Sequence, residues 1–262
     1  MVTVTTAGDR DRGSPLTSIG GQGIFVDGVR EALLHGRADV AVHSLKDVPT
    51  VPVPALKAAV LERADPRDVF VGHGGVPLKE LAAGARVGTS SRRRAAMLLA
   101  WRTDLEAVDI RGNVETRLQQ VADGKYAGAI LAAAGLQRLG MLPDSLQFLP
   151  IDRFLPSPAQ GMIAVECRRD NASTVNLLAR IDDAETRAAA VAERAFLGEQ
   201  GAGCALPIGA FAVARSGEIH LLGTLDGNPS EAVEACGPLA EAARVGRSLG
   251  ELARRRHERG SR

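Results

Sequence analysis

Residues 38–49, ADVAVHSLKDVP, are the most informative segment for predicting the fold of this chain. The apolar run at 40–42 predicts a buried strand, and Pro49 ends regular structure. Between them lies a polar cluster that includes Lys46 and Asp47. Strands of α/β domains deliver functional groups at their carboxyl ends, where ligands bind. The segment is therefore interpreted as a strand that carries a cation and an acid to a site. A strand that leads into a solvated loop is the alternative.

Strand-like and helix-like patterns alternate along the chain, which predicts an α/β fold. An apolar run followed by a helical pattern occurs three times. The strands of these units are predicted at 85–88, 106–110 and 127–132, and the helices at 94–99, 114–122 and 136–139. Further along, residues 185–199 have the pattern of a long helix, and 208–214 with 218–224 that of a strand pair. Residues 239–256 are predicted to form the last helix.

Two proline-containing segments predict crossings between domains. The first is the charged segment 62–68, and the second is 154–161, FLPSPAQG. If the chain leaves the first domain at one crossing and returns at the other, the segment between them is an inserted domain. The first domain is then formed by two separate parts of the chain. The predicted domains are 1–66 with 157–183, 67–156, and 184–262.

Composition narrows the possible functions. The chain has 262 residues, of which 45% are hydrophobic and 24% charged, as is typical of soluble globular proteins. A net charge of +1 and an aromatic content of 3% argue against a nucleic-acid partner. The longest apolar stretch, 127–136, is too short to cross a membrane, and residues 1–4 do not begin a signal peptide. We expect a cytoplasmic protein.

The segment VGTSSRRRAAM, 87–97, is a candidate anion site. It lies between a predicted strand and a predicted helix, and free N–H groups at a helix start favour anions. Arg93 and Arg94 could bind carboxylates in a bidentate manner. The alternative is a basic surface turn with a serine cap, Ser91.

Two further turns between strand and helix carry arginines. Arg111 and Arg117 lie in IRGNVETRL, 110–118, and the next turn contains Gly135 and Arg138. Taken singly, each arginine is more often a surface residue than a ligand. Arginines at the same end of successive strands would form one cationic cleft, which suits a polycarboxylate.

Cys204 lies in the glycine-rich segment GAGCALPIG, 201–209. Glycines allow the loop to expose the sulfur, and a thiolate is a common covalent attachment point. The alternative is a small buried residue, which we expect for Cys167 and Cys236. The three cysteines match neither a metal-site spacing nor a disulfide framework, so no metal is predicted.

The four segments HSLKDVP, VGTSSRRRAAM, IRGNVETRL and GAGCALPIG, in this order, resemble the porphobilinogen deaminase family. The resemblance extends from about residue 5 to about residue 212. It implies an α/β fold of three domains, the first two similar to the lobes of periplasmic binding proteins and the third a small α+β domain. It further implies a monomer that condenses four porphobilinogen molecules into hydroxymethylbilane and releases ammonia.

The resemblance also assigns roles to residues. Asp47 corresponds to the catalytic carboxylate of the family, and Cys204 to the cysteine that carries a dipyrromethane cofactor through a thioether. The remaining matches are predicted to bind the cofactor: Lys46, Ser91, Arg93, Arg94, Arg111, Arg117, Gly135 and Arg138.

The chain departs from the family pattern in two places. The strand and helix with which the family normally begins do not precede Val2, and intact downstream motifs favour a misassigned start codon. Gln22 stands where many relatives have lysine. Two alternatives therefore stay open: a truncated, non-catalytic copy of the same fold, or a two-lobed carboxylate-binding protein.

Overall fold

The computed structural model describes Val2, Val4 and residues 26–143, 145–201 and 206–260. Their fold is α/β, as predicted, with three sheets. The strands are β1 (Ala41–Ser44), β2 (Leu56–Val60), β3 (Asp68–Gly72), β4 (Arg86–Gly88), β5 (Glu106–Val108), β6 (Gly128–Ala132), β7 (Gln147–Phe148), β8 (Ile163–Arg168), β9 (Gly209–Arg215), β10 (Glu218–Thr224) and β11 (Val233–Pro238). The α-helices are α1 (Asp27–Leu34), α2 (Arg92–Trp101), α3 (Val114–Ala122), α4 (Ala133–Leu139), α5 (Ala172–Leu178), α6 (Ala184–Gly198) and α7 (Ala242–Gly260).

The first sheet joins distant parts of the chain. Its order is β1-β8-β2, and both outer strands run antiparallel to β8. The turn before β8 is tight at Gly161, where φ is +87° and a Cβ atom would lie 2.5 Å from the carbonyl oxygen of Ala64. A side chain would clash there, so this close approach requires glycine.

The second sheet has the order β5-β4-β6-β3-β7. The strands β4, β5 and β6 are parallel, with α2 and α3 as crossovers, while β3 is antiparallel to β6 and β7. Every residue of β3 is buried. The crossing segment predicted at 62–68 therefore ends earlier than expected, because Asp68 is the first residue of β3.

The third sheet, β9-β10-β11, is antiparallel and packs on α6 and α7. The predicted strand pair is confirmed, but β11 was not predicted. The last helix begins at Ala242 rather than at 239, because a short 3-10 turn, Leu239–Glu241, follows Pro238. At Gly246 a Cβ atom would lie 2.2 Å from the carbonyl oxygen of Ala192, so glycine allows α6 and α7 to pack closely.

A buried carboxylate joins α6 to the rest of the fold. Glu193 is 0% exposed, and its Oε1 accepts hydrogen bonds from Arg63 Nη1 at 2.7 Å and from the Ala212 N–H at 2.6 Å. Its Oε2 accepts from the Ala159 N–H at 2.5 Å. Burial raises the pKa of Glu193, whereas Arg63 and the two backbone N–H groups lower it. Arg63 Nη2 adds a fourth contact to Oε2 at 3.4 Å, and four donors satisfy a carboxylate better than a neutral acid.

Replacing Glu193 by glutamine is expected to lower the free energy of unfolding by about 3–5 kcal/mol, because the Arg63 side chain, which is only 12% exposed, loses its counter-charge. Urea denaturation measures this loss. Glu185→Gln is the control, since Glu185 is exposed on the same helix and its change should stay within about 0.5 kcal/mol. Equal effects of the two variants would contradict a charged Glu193.

Candidate active site

The turn after β1 carries two of the predicted site residues. Leu45–Asp47 form one turn of 3-10 helix, whose Leu45 side chain is buried and whose Leu45 N–H donates to the Met162 carbonyl at 3.0 Å. Asp47 is an exposed residue, but surrounding protein reduces the hydration of its carboxyl and raises its pKa. Lys46 and His43 oppose this rise in part. The turn thus presents an acid that holds its proton more strongly than usual.

Lys46 lies in a crowded, positively charged environment. Burial, and secondly the charge of Arg94, lower the pKa of Lys46 to about 8. Its Nζ donates to Gln160 Oε1 at 3.4 Å. Lys46 is therefore still mainly protonated at neutral pH and available to an anion.

The arginine turn is organised by a carboxylate that the sequence did not predict. Ser91 caps α2, its side chain accepting from the Arg94 N–H, as the alternative interpretation expected. The guanidinium groups of Arg93 and Arg94 both donate to the fully buried Asp68, at 2.7 Å to Oδ2 and 2.7 Å to Oδ1. Burial alone would raise the pKa of Asp68, but Arg93, Arg94 and Gln160 together lower it to about 2.

Gln160 connects this cluster to the turn that carries Lys46. It is 1% exposed, and its Nε2 donates to Asp68 Oδ1 at 2.9 Å and to the Pro66 carbonyl at 2.8 Å. Its Oε1 accepts from Lys46, so one amide bridges the first and second sheets. We name these residues, Lys46, Asp68, Arg93, Arg94 and Gln160, the central cluster.

The other predicted arginines lie at the edge of the central cluster. Arg117 is half-buried, and burial together with the charge of Arg94 lowers its pKa. Arg111 Nε lies 3.6 Å from Asp109 Oδ2, and the charge of Arg111 contributes to the lowered pKa of Arg117. Arg138 donates to the Gly161 carbonyl at 2.7 Å, beside Gln160. The structure therefore brings the predicted cations of three separate turns together.

Cys204 of the predicted site, and Gln22, which departs from the family pattern, lie outside the described residues. Of the cysteines that are described, Cys167 is buried as expected, whereas Cys236 is exposed on β11 and the expectation for it was wrong. The described His, Cys, Asp and Glu side chains include no group of three that could hold a metal ion. Within the same ranges, no helix combines the length and apolar character needed to cross a membrane.

Two family models cover most of the chain. "Porphobilinogen deaminase, dipyromethane cofactor binding domain" matches residues 1–176, and "Porphobilinogen deaminase, C-terminal domain" matches residues 188–254. The chain belongs to the porphobilinogen deaminase family. Porphobilinogen deaminase 1 of Streptomyces coelicolor is 45% identical, over 97% of this chain and 83% of that protein. Porphobilinogen deaminase of Roseiflexus castenholzii is 44% identical, over 95% of this chain and 83% of that protein.

Two solved structures show a distant similarity to this member of the porphobilinogen deaminase family. The ligand-binding component of an ABC-type import system from Staphylococcus aureus is 15% identical, with a TM-score of 0.35 over 65% of this chain and 59% of that chain. A periplasmic binding protein of Salmonella typhimurium with high arginine specificity is 11% identical, with a TM-score of 0.33 over 60% of this chain and 70% of that chain.

The cofactor of porphobilinogen deaminases is dipyrromethane, and the described residues fit such a carboxylated group. The charge of Arg94 acts on both Lys46 and Arg117, and Asp68 is the buried anion beside Arg94 and Lys46. This excess of positive charge suits a ligand with several carboxylates. Among the described residues, no atom beyond the chain neighbours of Gly135 and its own helix backbone lies within 4 Å of where its Cβ would be, so that part of the structure leaves space beside α4.

Sequence reasoning missed Asp68 and Gln160. Asp68 was interpreted as part of a charged crossing segment, although the apolar run directly after it was a sign of a buried strand. Gln160 lies in 154–161, the second segment predicted as a crossing between domains. No local pattern distinguishes a buried bridging glutamine from a solvated one.

Proposed function

We propose that the chain condenses four porphobilinogen molecules head to tail into hydroxymethylbilane and releases ammonia, on a covalently bound dipyrromethane primer. One observation carries the assignment of the site: an acid with a raised pKa, Asp47, follows Lys46 directly, and Lys46 belongs to the central cluster. An acid beside an excess of cations suits proton transfer on a substrate that carries carboxylates. Membership of the porphobilinogen deaminase family supports the same reaction.

Binding of carboxylates is assigned to the cations of the site. Burial, and secondly the charge of Arg94, lower the pKa of both Lys46 and Arg117, so a carboxylate of the ligand would stabilise their charged forms. Arg93 and Arg94 are oriented by Asp68 and add positive charge to the same region. The residues proposed to contact cofactor or substrate are Lys46, Ser91, Arg93, Arg94, Arg111, Arg117, Gly135 and Arg138. The cofactor, held by Cys204 through a thioether, supplies the free pyrrole α-carbon on which the chain of rings grows.

Asp47 is assigned the proton transfers. Its protonated carboxyl gives a proton to the amino group of porphobilinogen as the carbon–nitrogen bond breaks and ammonia leaves. The resulting carboxylate stabilises the positive charge that develops on the pyrrole. Once the new carbon–carbon bond has formed, Asp47 would accept the proton that the pyrrole α-carbon of the bound chain loses, which restores the acid. Four such cycles are followed by hydrolysis that releases the linear product.

The domain division is also a proposal. We assign 1–66 with 157–183 to domain 1, 67–156 to domain 2 and 184–262 to domain 3. In support, the first sheet consists of β1, β2 and β8, the second of β3 to β7 and the third of β9 to β11. A cytoplasmic monomer without a nucleic-acid partner stays a prediction.

Replacing Cys204 by serine is expected to abolish attachment of the cofactor, because a serine hydroxyl is a far weaker nucleophile than a thiolate. The intact mass of the purified wild-type chain should exceed that of the bare sequence by two porphobilinogen units less two ammonia. The Cys204→Ser protein should have the mass of the bare sequence.

Cys236→Ser is the matched control, since Cys236 is an exposed cysteine of the same predicted domain. It should keep the added mass. A loaded Cys204→Ser protein would contradict the attachment site. A wild-type chain without added mass would contradict the proposed function and favour a non-catalytic carboxylate-binding protein, including one that lacks part of its first domain.

A further inference from the structure

Arg194 of α6 contacts the turn that carries Lys46 and Asp47. Its Nη1 donates to the Val48 carbonyl at 2.8 Å and to the Leu45 carbonyl at 3.4 Å, and its Nη2 donates to the Pro49 carbonyl at 2.6 Å. These three carbonyls lie on both sides of Lys46 and Asp47 in the chain. One guanidinium thus holds the two ends of the turn.

The Leu45 N–H, which donates to the Met162 carbonyl at 3.0 Å, orients the start of the turn, and the hydrogen bonds of Arg194 orient the rest. Leu45 and Val48 are buried in the same apolar cluster as Ala189, Ala190 and other α6 residues. Apolar contacts are non-directional, so they resist separation more than rotation. A cavity of about 270 Å³ adjoins the turn and is lined by Leu45, Val48, Pro49 and Arg194 among others. Directional hydrogen bonds from a rigid, planar guanidinium restrict a rotation that this space would allow.

We propose that Arg194 is a positioning residue for the reaction, which fixes the turn at 45–49 so that the Asp47 carboxyl keeps its place relative to the substrate. The proposal rests on the proposed function, because it acts through Asp47. It also explains how Arg194 of α6, ten positions before Cys204 in the sequence, acts on an acid 147 positions earlier.

A purely structural contact between α6 and the first sheet is the competing explanation, and Arg187 provides the comparison. Arg187 lies on the same helix, about two turns before Arg194. It donates to the Ala58 carbonyl at 2.7 Å and to Asp182 Oδ2 at 2.6 Å. Arg187 therefore connects α6 to β2, and its hydrogen bonds do not involve residues 45–49.

The test compares Arg194→Gln, Arg194→Lys and Arg187→Gln in the full-length holoenzyme, with cofactor loading checked by intact mass. Arg194→Gln is expected to lower kcat roughly 10- to 100-fold, the range that follows from misplacing a catalytic group by about 1 Å. KM should change by less than about threefold, because cations elsewhere bind the substrate. Arg194→Lys should recover part of kcat, since one ammonium can reach only some of the three carbonyls.

Amide hydrogen exchange of peptides that contain residues 45–49 provides a readout independent of activity. Exchange there should be faster in Arg194→Gln than in wild type and unchanged in Arg187→Gln. Normal kcat in Arg194→Gln, or an equal kcat loss in Arg187→Gln, would overturn the positioning role. If Arg194→Gln does not fold, Arg194→Lys is tested in its place. Wild-type kcat together with wild-type amide hydrogen exchange at residues 45–49 in Arg194→Lys would then contradict the positioning role. Absence of wild-type turnover would instead refute the proposed function, and this proposal with it.

Discussion

Replacement of Asp47 by asparagine is expected to lower kcat by about 10²–10⁴-fold, the usual contribution of a general acid–base group. The amide is close in size to the carboxyl, but it can neither give up nor accept the proton in the proposed cycle. It also removes the negative charge that stabilises the cationic pyrrole. Initial rates of porphobilinogen consumption and of ammonia release measure the loss.

The fold should tolerate this change. Asp47 is exposed, and the turn is held by the buried Leu45 and Val48 side chains and by Arg194. Thermal unfolding of Asp47→Asn should therefore match that of wild type. Asp39→Asn is a matched control, because Asp39 is exposed two residues before β1 and has no assigned role. Wild-type kcat in Asp47→Asn would refute the assignment of Asp47 as the catalytic acid.

A loss of stability as large as that of Glu193→Gln is expected for Asp68→Asn. Asp68 is 0% exposed and accepts hydrogen bonds from Arg93, Arg94 and Gln160. A neutral amide would leave two buried guanidinium groups without their counter-charge, which costs about 3–5 kcal/mol. Urea denaturation at pH 7 measures the difference. Asp170→Asn serves as the control, because the side chain of Asp170 is 84% exposed, and its effect should stay within about 0.5 kcal/mol.

The pH dependence of stability provides a second check on Asp68. Its pKa of about 2 in the folded protein lies below the ordinary value of about 4 in an unfolded chain. The stabilising contribution of Asp68 is therefore complete above about pH 4 and is lost as the pH falls toward 2. The stability difference between wild type and Asp68→Asn should shrink over this interval. A difference that does not depend on pH would show that Asp68 is not charged in the fold.

These two acids play different parts in one site. Asp47 is exposed and holds its proton more strongly than usual, whereas Asp68 is buried and holds it less strongly. The difference in pKa follows from the neighbours of each acid. At Asp68, the charges of Arg93 and Arg94 lower the pKa more than burial raises it. At Asp47, burial is the larger effect. Gln160 and Lys46 link the two environments.

Local pattern was sufficient to predict much of this molecule. The helix at 114–122 and the strand pair before and after Ser216 were predicted with nearly their observed bounds. Hydrophobic periodicity, capping residues such as Ser91 and Asn113, and glycine turns act between residues close in the chain, so they can be read from the sequence. The four motifs that show the family are equally local.

Only the tertiary structure decided which of these groups meet. Asp68 lies 25 positions before Arg93, Lys46 lies 114 positions before Gln160, and Val48 lies 146 positions before Arg194. Each contact depends on how sheets and helices pack, and no periodicity in the sequence specifies a partner at such a distance. Sequence alone therefore determined the types of chemical group and the elements that present them. Their pairing, their burial and the resulting direction of each pKa shift were decided by packing, because charge interactions and desolvation depend on distance in space.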